Sequence, residues 1–143
     1  MSDPHFETSS PRRLLSVVIP VYFNEENIPV TWPALRTVLD RLPPELDWEV
    51  IFVDDGSGDA SYDRLVEVQR ALPVRVRVVR LTRNFGQVPA IFAGLSLARG
   101  HCAVVMTADL QDPPELVAEM VRRWRHGAGT FVRVHIRRVP QPN

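Results

Sequence analysis

Four short apolar runs, each followed by a helical pattern, constrain this chain more than any other feature. The runs are Leu14 to Val21, Trp48 to Val53, Val74 to Leu81 and Cys102 to Thr107. The first two are apolar on both sides, as strands buried on both faces of a sheet are. The third alternates apolar residues with arginine and reads as an edge strand with one wetter face. The helical patterns place Ile28, Trp32, Leu35, Val38, Leu39 and Leu42 on one inner face, and Leu65, Val68 and Leu72 on the next. The third helix is expected to turn Ile91, Phe92, Leu95 and Ala98 inward, and the fourth Leu116, Val117, Met120, Val121 and Trp124. Pro29 fits a first helical turn, whereas Pro33 predicts a kink or a start near Thr31. Pro43 and Pro44 stop that helix, and Gly100 is read as the stop of the third. Strand and helix alternate four times. That pattern predicts an α/β fold, a doubly wound parallel sheet with right-handed crossovers and strand order 3-2-1-4. The topological switch then lies between strands 1 and 4.

In such a sheet, ligands bind outside the carboxyl ends of the strands. Those ends carry Pro20, Tyr22, Asn24 and Glu25 after strand 1, Asp54 and Asp55 after strand 2, and Asp109 and Gln111 after strand 4. The organising stretch is VVMTADLQDPPE, Val104 to Glu115. There Asp112 reads as a helix cap, with Pro113 and Pro114 in the first turn. Asp109 reads as a site carboxylate. With an oxygen donor two residues on, it suits a divalent cation held against a diphosphate. In VDDGS, Asp54 and Asp55 suit hydrogen bonds from a base N–H or a ribose hydroxyl. The plainer reading is an Asx turn, with Asp59 or Ser61 capping the next helix. Tyr22 to Glu25 suits stacking on a base, against a plain N-cap at Asn24 with Glu25 in the first turn. Arg83, Asn84 and Gly86 precede a helix N-terminus, a natural place for phosphate, against a merely solvated arginine.

Composition removes several rivals. All 17 basic residues are arginine, which excludes a P-loop or Schiff-base lysine. Cys102 is the single cysteine, so it builds neither a disulfide framework nor a cysteine metal cluster and reads as a small core residue. No GxGxxG follows strand 1, and the four histidines lack paired metal-ligand spacing. Net charge is zero, which gives no electrostatic case for nucleic acid. No stretch reaches the apolar length of a membrane span, and residues 1–13 read as a polar arm without an apolar signal core. The expected compartment is the cytoplasm.

Four segments in this order, SVVIPVYFNEENI, VIFVDDGSGDAS, RLTRNFGQVPAIFAGL and VVMTADLQDPPE, resemble family 2 glycosyltransferases of GT-A fold, above all the polyprenyl-phosphate (dolichyl- or undecaprenyl-phosphate) branch. The resemblance covers residues 14–126. It implies the N-terminal half of a GT-A nucleotide-diphospho-sugar transferase domain. The implied reaction is inverting transfer of a hexosyl unit from a UDP- or GDP-sugar to a polyprenyl phosphate or other acceptor, with Mg²⁺ or Mn²⁺. It implies nucleoside contacts from Pro20, Tyr22 and Glu25, a base contact from Asp54 or Asp55, and a donor pocket lined by Arg83 and Asn84. Asp109 and Gln111 would bind the metal and diphosphate. No residue is assigned as catalytic base. Such an acceptor places the reaction at the inner face of the plasma membrane.

Two departures stand out. Where the family often has DAD, this chain has Thr107-Ala108-Asp109, so one metal carboxylate is replaced by a neutral residue and metal affinity is expected to drop. The resemblance fades after His126. The tail 127–143 has no acidic residue and carries Arg133, Arg137 and Arg138. It is read as a non-family basic segment of a truncated or frameshifted gene. The alternative to an active transferase is therefore a non-catalytic nucleotide-sugar-binding fragment. A shortened sheet would also leave strand 4 or the tail as an exposed edge, favouring self-association.

Overall fold

A computed structural model describes residues 12–111 and 113–127. Four strands and four helices alternate: β1 (Arg13–Val21), α1 (Ile28–Asp40), β2 (Leu46–Asp54), α2 (Ser61–Ala71), β3 (Val76–Arg80), α3 (Gln87–Leu97), β4 (Cys102–Val105) and α4 (Glu115–Arg125). The strands form one sheet of order β3-β2-β1-β4. All three pairings are parallel, with Val18 opposite Ile51 on one side and Val105 on the other. This is the architecture and strand order that the sequence predicts.

The two faces of the sheet are covered unequally. Helix α1 packs against both α2 and α4, while α3 packs against β1 and β2. The larger core lies on the α1 side. It joins Val17, Ile19 and Val21 of β1 to Val50 and Phe52 of β2, Leu35 and Leu39 of α1, Leu65 of α2, and Val117 and Val121 of α4. The smaller core, on the α3 side, has Val18, Ile51, Val53 and Ala90 at its centre. Alternate residues of each strand feed opposite cores, as the period-two pleat requires.

Two helices differ from expectation. Helix α1 starts at Ile28 and runs through Pro33 without interruption. Pro33 removes only one hydrogen bond near the helix start. The first turn is held by buried Ile28 and by Thr31, whose Oγ1 donates to the Ala108 carbonyl at 2.6 Å. Helix α3 is rotated from the predicted orientation. Ala90 and Gly94 are its buried residues, with Ala93 and Ala98 packed beside them, while Phe92 is 66% exposed and Leu95 also faces out. A Cβ on Gly94 would overlap Val18 Cγ1, so the backbone itself lies against the sheet. The helix is uncharged, and its sequence gives no polar face to orient it.

Strand β4 ends at Val105, two residues short of the predicted end, although the Met106 N–H still donates to the Val18 carbonyl at 3.1 Å. It is a sheet edge among the described residues, as β3 is. Gly100 lies three residues beyond α3 and serves a close approach: its N–H donates to Ser16 Oγ at 2.8 Å, with no room for a Cβ. Cys102 is half-buried, and burial pushes its thiol pKa up, as befits a packing residue. Asp112 and the tail 128–143 lie outside the described residues.

Candidate functional site

A cleft of about 400 Å³ opens at the carboxyl ends of β1 and β4. Its β1 wall is Pro20, Val21, Tyr22 and Asn24. Asp55 comes from the tip of β2, Asn84, Gly86 and Gln87 from the start of α3, and Thr107, Ala108 and Asp109 from the exit of β4. It sits at the predicted switch point. The chain leaves β1 and β4 through Phe23 and Leu110, both with positive φ (53° and 57°), an uncommon conformation for residues with side chains. Tyr22 is half exposed and meets the Phe23 ring edge-on at 4.7 Å.

Of the two adjacent aspartates, only Asp55 lines this cleft. Asp54 is the last residue of β2 and follows Phe52 on the α1 side of the pleat. It is fully buried. One carboxylate oxygen accepts the Ser57 N–H at 3.2 Å, while the other has no hydrogen bond among the described residues and lies 3.8 Å from Arg80 Nε. Arg80 in turn stacks over Tyr62 of α2. Asp55 is also buried, but its oxygens turn to the start of α3.

Glu25 stands beside the cleft rather than in its wall. Its carboxylate accepts the Ala60 N–H, so it caps the start of α2. Arg83 likewise stays outside the wall, with its guanidinium over the Phe85 ring at 4.1 Å. Asp59, not Ser61, supplies the local turn before α2: its Oδ1 accepts the Ser61 N–H at 3.0 Å. Ser61 Oγ instead accepts the Asn24 N–H at 2.8 Å. Burial raises the Asp59 pKa, but hydrogen bonds from Ser61 and the Glu25 amide outweigh it and hold the carboxyl below its usual range.

Asp109 is the cleft carboxylate from β4. One of its oxygens accepts the Gln111 N–H at 3.2 Å, and Gln111 itself is exposed outside the cleft wall. Two residues before Asp109, Thr107 Oγ1 is buried without a hydrogen-bond partner among the described residues. Among the described residues there is no group of three or more His, Cys, Asp or Glu side chains set to hold a metal. Gln87 is a wall residue that sequence reasoning passed over. Its signal was its place directly after Gly86, at the first position of α3.

A family model described as Glycosyl transferase family 2 matches residues 16–142. The chain belongs to glycosyl transferase family 2. The match runs past His126, where the sequence resemblance is expected to fade, and so takes in most of the tail. Among curated family members, an "Uncharacterized glycosyltransferase YkcC" of Bacillus subtilis is 42% identical over 123 residues, 86% of this chain and 37% of the relative. A "Bactoprenol glucosyl transferase" of Shigella phage SfV is 37% identical over 114 residues, 80% of this chain and 36% of the relative. Among solved structures, a mannosyltransferase from Pyrobaculum calidifontis in complex with GDP-Man and Mn²⁺ superposes with a TM-score of 0.65 at 23% identity. That match covers 80% of this chain and 33% of the mannosyltransferase. The chain thus spans about a third of the length of these proteins. Its sheet matches the N-terminal part of GT-A transferases. No helix among the described residues is long and apolar enough to cross a membrane.

Proposed function

We propose that the cleft is the donor site of a glycosyltransferase and takes the nucleotide of a UDP- or GDP-sugar. The observation that carries this reading is the convergence of Tyr22, Asp55, Asn84 and Asp109 from four separate chain segments on one cavity. Tyr22 offers an aromatic face for a base, and Asp55 offers a carboxylate to base or ribose donors. Asn84, Gly86 and Gln87 bring amide groups to the same wall. The hexosyl unit would pass with inversion to a polyprenyl phosphate or other acceptor, in keeping with the relative named a bactoprenol glucosyl transferase.

The donor set fits a cation that arrives with the nucleotide. Asp109 keeps one carboxylate oxygen outside its own turn, and Thr107 offers a hydroxyl with no partner among the described residues. Magnesium-type sites often use one or two carboxylates together with substrate phosphates. Mg²⁺ or Mn²⁺ held this way would neutralise charge on the diphosphate leaving group. Asp109 would fix that group against the exit of β4. Gln111, turned to solvent, is the weaker candidate.

A second reading is a nucleotide-sugar-binding fragment without transfer. It is favoured by the engagement of the other carboxylates at this end of the sheet: Glu25 caps α2 and Asp55 holds the start of α3. Calorimetry with UDP and GDP, with and without Mn²⁺, on the wild type and Asp109→Ala tests the donor site. Binding that needs Mn²⁺ and is lost in the variant is expected; absence of binding by both nucleotides would refute the site. Release of free sugar from the donor, or transfer to a lipid phosphate, separates the two readings.

A further inference from the structure

The Asp55 carboxylate is committed to the protein as well as to the cleft. It accepts the Phe85 N–H at 2.8 Å and the Gly86 N–H at 3.1 Å. Asn84 Nδ2 donates to the same carboxylate and to the Asp55 backbone carbonyl, each at 3.1 Å. The neighbouring Gly56 has φ +75°, and a Cβ there would stand 2.5 Å from the Arg83 carbonyl carbon and the Asn84 nitrogen. The turn after β2 and the turn before α3 are therefore in backbone contact. Apart from the long contact of Arg83 with the Asn84 carbonyl, no other side chain among the described residues hydrogen-bonds residues 84–86.

We infer that Asp55 is a positioning residue: it latches Asn84, Phe85 and Gly86 in place, so that one wall of the cleft is set before any ligand arrives. Charge-assisted bonds to backbone N–H groups are about twice as strong as neutral ones. Without the acceptor, two N–H groups lose their partner and the turn gains alternative conformations. Ligand affinity then falls in proportion to the fraction of chains with the wall in place. Asp55 acts here through residues 84–86, whatever it contributes by direct contact. The inference rests on the nucleotide reading of the cleft for its effect on binding, but not for its effect on the turn.

The test uses the full chain as wild type, Asp55→Asn, Asn84→Ala and the double variant. Backbone amide exchange is followed at Phe85 and Gly86 without ligand, and UDP and GDP binding by calorimetry. Asp55→Asn is expected to speed exchange at both amides, and to weaken the nucleotide that binds by about tenfold or more. Asn84→Ala is expected to do less, and the double variant no more than Asp55→Asn alone, the mark of two residues acting as one unit. Unchanged exchange at Phe85 and Gly86 in Asp55→Asn, or additive losses in the double variant, would overturn the inference. If Asp55→Asn does not fold, exchange at the same two amides in Asn84→Ala decides: faster supports the latch, unchanged refutes it. If the wild type binds neither nucleotide, the donor-site reading fails, while the exchange measurement still decides the latch.

Discussion

The Glu25 carboxylate accepts the Ala60 N–H at 3.1 Å, so a residue from the exit of β1 caps the start of α2. Three further bonds run along the same seam. The Phe23 N–H donates to Ser57 Oγ at 3.0 Å, the Asn24 N–H to Ser61 Oγ at 2.8 Å, and the Glu25 N–H to Asp59 Oδ2 at 3.3 Å. The Tyr22 side of the cleft is therefore fixed by the loop that follows β2.

Truncating Glu25 should loosen this seam. Glu25→Ala is expected to cost about 0.5–2 kcal/mol, the range for losing a helix-capping acceptor. Glu25→Gln keeps an acceptor of the same reach and should cost less. Urea denaturation of both variants checks this; an alanine variant as stable as wild type would show that the carboxylate holds nothing.

Asp59 gives the seam a pH dependence. Its folded pKa is depressed, so its contribution to stability is fully present above the unfolded carboxylate pKa and is lost as pH falls through the folded value. Stability attributable to Asp59 should thus be flat near neutrality and decline below about pH 4, where free aspartates titrate. Asp59→Asn should be less stable at pH 7 and show a shallower acid limb. Melting temperatures of both proteins between pH 3 and pH 7 make the comparison; parallel curves would remove Asp59 from the account.

The strands and their order were legible because four apolar runs separated by helical patterns leave little topological choice once crossovers are right-handed. The end of the sheet that carries the cleft followed from that order. Side-chain direction at the strand tips did not. Asp54 and Asp55 look equivalent in sequence, but the period-two pleat sends Asp54 toward the α1 side and leaves Asp55 to the cleft. Nor does the sequence show that the Glu25 carboxylate, expected at the nucleoside, accepts the Ala60 N–H at the start of α2. Glu49 was hidden inside an apolar run. Its partners, Ser16 Oγ at 3.1 Å, Arg77 Nη2 at 3.0 Å and the Arg99 N–H at 3.0 Å, come from distant segments. The face of α3 is not legible in its sequence, because the helix has no charged face and a stripe of the small residues Ala90, Ala93 and Gly94, rather than Phe92 and Leu95, lies against the sheet.

That stripe predicts the cost of filling it. Gly94→Ala places a methyl group against Val18 and Val53 of the smaller core. Alanine gains helix propensity, about 1 kcal/mol over glycine. Overpacking opposes it at about 1–3 kcal/mol. The overlap falls on β-branched side chains already fully buried, so the steric term should win and the variant should unfold at lower urea concentration. A stabilised Gly94→Ala would mean that α3 moves off the sheet freely.

Thr107 offers a test of how the cleft treats a cation. It lines the cavity two residues before Asp109, and its buried hydroxyl has no partner among the described residues. With one neutral donor and one carboxylate, the protein alone neutralises little of a divalent charge, so Mn²⁺ without nucleotide should leave the wild-type melting temperature unchanged. Thr107→Asp adds a second carboxylate. Without metal, that variant should be less stable than wild type, because a buried charge beside a like charge is unfavourable. Mn²⁺ alone should then raise its melting temperature, since a ligand that binds only the folded state stabilises it by about 2.7 kcal/mol at a hundredfold excess over Kd. With UDP or GDP present, wild type should respond to Mn²⁺ as well, because the diphosphate supplies the missing negative oxygens. The comparison is a thermal melt of both proteins across a Mn²⁺ titration, with Asp109→Ala as the background. A Thr107→Asp variant that ignores Mn²⁺ in the absence of nucleotide would show that positions 107 and 109 do not face one cation.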